Sequence, residues 1–189
     1  MLSGSTGNPG RAPLAERLND LYETPPEAVE ALLKVEPLPQ RIWEPACGRG
    51  AIVKVLEKYG HEVYATDLVD YGADYLHGID FLRFGQRGCE CIVTNPPFKL
   101  ADQFVRHAIK LCPKVVMLLR LAFLEGAKRS DIIDTHLSRV WLFRNRLPRM
   151  HREGWDGPKS TSTIAFGWFV FERGWTGPTE LCRITWERS

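Results

Sequence analysis

Residues Asn95-Pro96-Pro97-Phe98 follow directly on the apolar run Cys91-Ile92-Val93-Thr94, and their types suit one kind of chemistry. Two consecutive prolines fix the backbone and remove two N–H donors, so nothing local competes for the neighbouring carbonyls. The Asn95 side-chain oxygen and the Pro96 carbonyl are then free acceptors, set to hold one planar NH2 group. Phe98 offers a flat face on which a ring can stack. The set fits transfer of a group to the exocyclic or amide nitrogen of a planar substrate. The plain alternative is a strand-ending turn with a buried Phe, since Pro-Pro turns are common.

Chemistry of this kind needs a donor site beside it, and the upstream sequence supplies one. Arg41 to Glu44 reads as a short strand running into Pro45-Ala46-Cys47-Gly48-Arg49-Gly50 and then a helix. Glycines there allow a ligand to approach the backbone at a helix N-terminus. A second strand, His61 to Thr66, ends at Asp67, where an acid about 20 residues after a glycine turn fits a carboxylate gripping a ribose diol. Asp80-Phe81 falls between that strand and the Asn-Pro-Pro-Phe strand. Each has a simpler reading: Asp67 as a strand terminus, Asp80 as a turn acid, Tyr22 and Thr24 as a helix cap.

Taken in order, Tyr22-Glu23-Thr24-Pro25, Glu44-Pro45-Ala46-Cys47-Gly48-Arg49-Gly50, Asp67, Asp80-Phe81 and Asn95-Pro96-Pro97-Phe98 resemble the motifs of S-adenosyl-L-methionine-dependent amino-methyltransferases. The resemblance is to the N6-adenine DNA methyltransferases, in particular small phage- or prophage-type members, and spans residues 22 to about 186. Gly154-Trp155-Asp156-Gly157-Pro158-Lys159-Ser160-Thr161 and Phe166-Gly167-Trp168-Phe169-Val170-Phe171 are also similar to those phage-type proteins. The resemblance implies that Tyr22, Thr24 and Pro25 enclose the methionine end of the cofactor, while Ala46, Cys47, Gly48 and Gly50 pass beneath it. Glu44 or nearby backbone would hold its amino group, Asp67 with Leu68 its ribose, and Asp80 with Phe81 its adenine. It further implies that Asn95 and Pro96 accept the target amine's hydrogens, with Pro97 fixing the turn and Phe98 stacking on an extruded base. Arg49 departs from the small or acidic residue more usual between the glycines.

Composition sets bounds. The chain of 189 residues is expected to hold a short disordered tail over 1–13 and one methyltransferase domain over 14–189. Its net charge of +2 does not announce a nucleic-acid binder by bulk electrostatics. No apolar run approaches a membrane span, and no signal-peptide core is seen. The five cysteines show no metal or redox spacing and read as cytosolic thiols; no metal site is expected, and the phage-type resemblance implies the cytoplasm of a bacterial or phage-infected cell.

Strand and helix alternate through residue 144, which argues for a doubly wound parallel α/β sheet whose ligands sit at the strands' carboxyl ends. The resemblance makes this a class I methyltransferase (Rossmann-like) mixed sheet, mostly parallel, with a reversed strand near the C-terminus and helices on both faces. Expected helices cover Leu14 to Leu21, Pro25 to Val35 capped by Thr24, Ala51 to Tyr59, Leu100 to Leu111 and Ala127 to His136. Further strands are expected near Tyr75 to Gly78, then Cys91 to Thr94, Lys114 to Leu121, Arg139 to Arg144, Thr163 to Phe171 and Leu181 to Trp186. The loop from Asn145 to Ser162 would hang beside Asn95, carrying Arg146, Arg149, His151, Arg152, Trp155 and Lys159. Cations interleaved with an aromatic suit a phosphate backbone and an unstacked base, though a solvated loop would read the same way.

Only 91 residues follow Phe98, which leaves no room for a separate target-recognition domain. Specificity would then be low, or come from that loop, or from a partner subunit or second copy. The favoured substrate is adenine in DNA; the runner-up is an adenine or guanine base of RNA. Protein glutamine is disfavoured by Phe98, where Tyr is usual, and cytosine N4 by Asn95, where Ser is more often found. A non-catalytic cofactor- or nucleic-acid-binding subunit is the reading from another class, against which the intact Asn95 and Gly48-x-Gly50 argue.

Overall fold

Val115 to Leu119 are all buried, and an unbroken apolar run in a strand demands a layer on each side of it. The computed structural model, which describes residues 22–85, 89–148, 150 and 162–187, supplies both layers. Its strands are β1 (Arg41–Glu44), β2 (Glu62–Ala65), β3 (Cys91–Thr94), β4 (Lys114–Arg120), β5 (Leu137–Phe143), β6 (Phe166–Glu172) and β7 (Glu180–Ile184). They form one seven-stranded sheet in the order β2-β1-β3-β4-β6-β5-β7. β2, β1, β3 and β4 are parallel neighbours, and β6 runs antiparallel to both β4 and β5. β5 therefore points the same way as β4, and β7 lies parallel beside it.

Period-two alternation divides the strands between two cores. Val116 and Leu118 of β4, with Trp168 and Val170 of β6, pack under helices α1 (Pro26–Leu33) and α2 (Ala51–Lys58). Val115, Met117 and Leu119, with Phe169 and Phe171, pack under α3 (Ala101–Leu111) and α4 (Ser130–His136). Each large apolar side chain so buried contributes about 1.5–3 kcal/mol. Trp168 is wholly buried, and its indole N–H is satisfied by the Ala28 carbonyl at 2.8 Å, which fixes α1 against the sheet.

Several expectations change in detail. The strand near Tyr75 to Gly78 is reduced to a single bridge, Thr66 with Leu76, because the segment after Asp67 turns through Gly72 and Gly78 at positive φ. Thr24 does not cap α1: Pro25 is the capping residue, no side chain bonds there, and Pro26 takes the first helical position. The helix expected from Ala127 begins as a 3-10 turn and is α-helical only from Ser130. Cys89 and Cys112 are joined as a disulfide in place of two thiols, with Cα atoms 5.7 Å apart. The register explains it: Cys91 pairs with Lys114 on adjacent parallel strands, and the two cysteines each stand two residues before that pair. The tail 1–13, the helix expected over Leu14 to Leu21 and most of the arginine-bearing loop lie outside the described residues.

At the amino ends of the strands a buried acid is fully paired. Glu36, 2% exposed, receives Lys114 Nζ, both Arg139 Nε and Nη2 at 3.0 Å, and Trp141 Nε1 at 2.8 Å. Burial raises its carboxyl, but these donors outweigh burial and hold it below the ordinary range. The opposite ends of the strands are arranged differently.

Candidate active site

β1 leaves the sheet at Glu44 and turns into α2 through the glycines. Gly48 (φ +53) and Gly50 (φ +80) take the left-handed conformation that favours glycine. The turn is tied down from β2: Asp67 Oδ2 accepts the Gly48 N–H at 2.8 Å, and the Thr66 carbonyl accepts the Cys47 N–H at 3.0 Å. Asp67 Oδ1 accepts the Val69 N–H at 2.9 Å. Burial nevertheless raises the Asp67 carboxyl, by more than the N–H groups of Val69, Gly48 and Leu68 lower it. At Gly50 a Cβ would also run into the Tyr75 ring, so the second glycine is required by this chain's own tyrosine.

The strand ends enclose a cavity of about 340 Å³. Of the residues expected at a cofactor, Tyr22, Thr24, Glu44, Ala46, Cys47, Gly48, Asp67, Leu68, Asp80 and Phe81 line it, and so do Asn95 and Pro97. Pro25, Gly50, Pro96 and Phe98 are not in its wall. Phe81, 2% exposed, is braced by Trp43 and Phe104 at centroid distances of 5.3 and 4.8 Å. Asp80 also serves its own turn, accepting the Leu82 N–H at 3.1 Å and pairing with Arg83. Lys99, Leu100 and Tyr71 line the cavity and were not singled out in the sequence, where no spacing ties them to the motifs.

Glu44 is the counterpart of Glu36 without its partners. It is wholly buried, and neither carboxyl oxygen has a hydrogen-bond partner among the described residues. Burial pushes the carboxyl up to about 8, and the nearby Thr94 hydroxyl and Ala46 amide, outside hydrogen-bond geometry, offset only part of that. The Cys47 thiol beside it is pushed up to about 12, first by burial and then by the Glu44 and Asp67 charges, so it carries no thiolate near neutrality.

Asn95 stands one residue past β3, and its amide is held by one end. Nδ2 donates to the Tyr22 carbonyl at 3.2 Å and the Thr24 hydroxyl at 3.1 Å, with Met150 Sδ at 3.7 Å. A backbone carbonyl only accepts, so the nitrogen must face Tyr22, and the orientation of the amide is fixed chemically. Oδ1 is thereby left buried with no partner among the described residues. Thr24, read in the sequence as a cap, instead positions this amide.

Phe98 belongs to an aromatic cluster next to the cavity. Tyr22 stacks on it at 5.1 Å, Phe166 meets it at 5.7 Å, and the Arg120 guanidinium carbon lies 4.2 Å from its centroid. Arg120 was missed in the sequence, although a cation ending the apolar run Val115 to Leu119 at a strand's carboxyl end was a usable signal. Arg146 is exposed beyond β5, its carbonyl accepting the Trp186 indole N–H at 3.2 Å. Arg149, His151, Arg152, Trp155 and Lys159 lie outside the described residues.

No family model and no curated protein matches this sequence. Solved structures do match. An RNA methyltransferase from Pyrococcus horikoshii, provisionally so named, superposes with a TM-score of 0.60 at 12% identity, over 82% of this chain and 87% of its own. The fold is that of the class I methyltransferases. A class I S-adenosylmethionine-dependent methyltransferase from Listeria monocytogenes, also provisionally named, matches with a TM-score of 0.56 at 13% identity, covering 82% of this chain and 62% of that one. A modification subunit of a provisionally named type I restriction enzyme from Vibrio vulnificus YJ016 matches at 0.62 and 15% identity over 92% of this chain; the match spans 49% of that subunit. The antiparallel β6 is the reversed strand expected near the C-terminus. Among the described residues no helix is long and apolar enough to cross a membrane, and no cluster of metal-ligating side chains occurs.

Proposed function

We propose that this chain binds S-adenosylmethionine and transfers its methyl group to the exocyclic N6 amine of adenine in DNA, acting on an extruded base. One observation carries the reading: the Asn95 amide is locked by its nitrogen, and its oxygen is left as a buried acceptor with no partner among the described residues. A buried acceptor without a donor costs about 1–3 kcal/mol, so an arrangement that enforces one calls for a donor from a ligand.

The cavity's residues fit the cofactor. The buried carboxyl of Glu44 lacks a donor, and a cofactor ammonium would supply one. Asp67 sits at the end of β2 with one bond used on each oxygen, leaving lone pairs for ribose hydroxyls. Asp80 and Phe81 would take the adenine, and Tyr22 with Thr24 would cover the methionine end. Cys47 and the glycine turn would pass beneath. When bound, S-adenosylmethionine supplies a methyl group already activated on a sulfonium.

The chain's own task is to make a poor nucleophile competent. An adenine amine donates its lone pair into the ring. Asn95 Oδ1 and the Pro96 carbonyl accept its two hydrogens and favour tetrahedral nitrogen as positive charge develops there, which is electrostatic stabilisation together with alignment. No strong general base is needed, because the methylated nitrogen is cationic and acidic enough to give its surplus proton to water. Pro96 and Pro97 keep the acceptors in place because neither has an N–H to compete for them. Phe98 holds the ring of the base out of the helix.

RNA is the second substrate, favoured by the name of the Pyrococcus neighbour as DNA is by that of the restriction-enzyme subunit. Sequence specificity would be low, or come from the loop over 145–162, a partner chain or a second copy. The test is transfer from labelled S-adenosylmethionine to duplex DNA, single-stranded DNA and RNA, with the modified nucleoside identified by mass. N6-methyladenine from DNA is expected. Label on RNA or protein alone would keep the Asn95 chemistry and overturn the substrate.

A further inference from the structure

Arg120 and Phe166 are opposite one another in the antiparallel register of β4 and β6, so their side chains share a face, and both touch Phe98. Arg120 is exposed, and its side chain has no acid and no hydrogen-bond acceptor among the described residues. Other cations have partners: Arg139 and Lys114 pair with Glu36, and Arg129 donates to the carbonyls of Phe123 and Glu125. An unpaired guanidinium over the very ring expected to stack a base takes the space that a stacked base would need. Tyr22 also stacks on that ring at 5.1 Å, while its backbone carbonyl, which the ring need not move, accepts from the Asn95 amide. Among the described residues Arg120 is held by this cation–π contact alone, and an exposed cation–π contact is weaker than base–aromatic stacking.

Resting on the nucleic-acid reading above, we propose that Arg120 is a nucleotide-binding residue of this site. In the free protein its guanidinium holds the stacking position on Phe98. It yields that position to the incoming base and takes the phosphate beside it, where its planar fork pairs with two oxygens. The contact keeps the aromatic covered until substrate arrives and puts the cation where the backbone of an extruded nucleotide must pass.

The experiment follows the Arg120 side-chain δ protons by NMR, assigned by their loss in Arg120→Gln. Above the Phe98 ring they lie upfield in the free protein. Saturation with a short adenine-containing single-stranded DNA is expected to return them to ordinary positions. An upfield signal that persists in the saturated complex overturns the proposal. In parallel, Arg120→Gln is expected to weaken DNA binding several-fold and to lower the slope of log affinity against log salt by about one, with S-adenosylmethionine affinity unchanged. Arg120→Lys keeps the slope, which separates a phosphate contact from a fault in folding. An unchanged slope in Arg120→Gln overturns the phosphate contact while the methyltransferase reading stands. A wild-type protein that binds S-adenosylmethionine but neither DNA nor RNA overturns the nucleic-acid reading itself, and this inference with it.

Discussion

Two buried glutamates at opposite ends of the same sheet differ in every respect that matters. Glu36, at the amino ends of β4 and β5, is met by two cations and an indole, and its carboxyl is held low. Glu44, at the carboxyl end of β1, has no hydrogen-bond partner among the described residues, and burial drives its carboxyl to about 8. Equal burial with opposite satisfaction separates a structural joint from a socket. The amino-end joint stitches the loop after α1 to three strands. Among the described residues, the buried polar atoms without partners include Glu44, Thr94 and Asn95 Oδ1 at the carboxyl end, with Asp102 Oδ1 and Trp175 Nε1 elsewhere; Glu44 and Asn95 line the cavity. A folded chain carries such a cost where a ligand relieves it.

The contrast is broken most strongly by Asn95→Ala. Methyl transfer is expected to fall by at least about 10²–10³-fold, the loss typical of removing one transition-state hydrogen-bond partner. S-adenosylmethionine affinity falls far less, through loosening of Tyr22 and Thr24. Calorimetric binding beside single-turnover rates would show it, and equal losses would make Asn95 merely structural.

At the other end, Arg139→Ala leaves a buried carboxylate short of its bidentate partner and is expected to cost roughly 3 kcal/mol of stability. Denaturant titration measures this. Cofactor affinity should not change, because nothing in that joint reaches the cavity.

Glu44→Gln sharpens the comparison by acting in two directions. Cofactor affinity should drop about 10–100-fold, as expected for losing one charge-assisted bond worth about 1.5–3 kcal/mol. Stability without ligand should move the other way. Between the ordinary 4.5 and about 8, native Glu44 keeps a proton that the unfolded chain has released, so stability falls as pH rises through that window. The upper bound on the loss is roughly 5 kcal/mol. Glutamine removes this slope, and melting curves of the two proteins should converge near pH 4 and diverge by pH 8. Glu36 has the opposite sign: its contribution is present above 4.5 and fades as pH falls through its lowered value.

The smallest effect is expected from Thr24→Val. It takes away one of the acceptors that orient the Asn95 amide, so the rate should fall only several-fold, about 1 kcal/mol, with stability nearly unchanged. A wild-type rate would mean that the Tyr22 carbonyl alone fixes the amide.

Much of this was legible in the chain. The apolar runs at Cys91 to Thr94 and Val115 to Leu119, read with the alternation of strand and helix, specify a layered sheet because burial on both faces is a property of the residues themselves. The glycine turn and Asn95-Pro96-Pro97-Phe98 fall just past β1 and β3 for the same local reason, since glycines and prolines break strands where they occur, whereas Asp80-Phe81 lies in the turn between β2 and β3. The pairings were not legible, since they depend on residues far apart in sequence meeting across the sheet. Register alone joined Cys89 to Cys112, and packing between α1, β4 and β5 alone paired Glu36 while leaving Glu44 bare. The reversal of β6 set Arg120 and Phe166 side by side over Phe98. The sequence by itself determined which groups are present and near which strand end each falls. Only the tertiary structure decided which have partners, because satisfaction of a buried group is a matter of geometry between distant segments, and no local pattern encodes it.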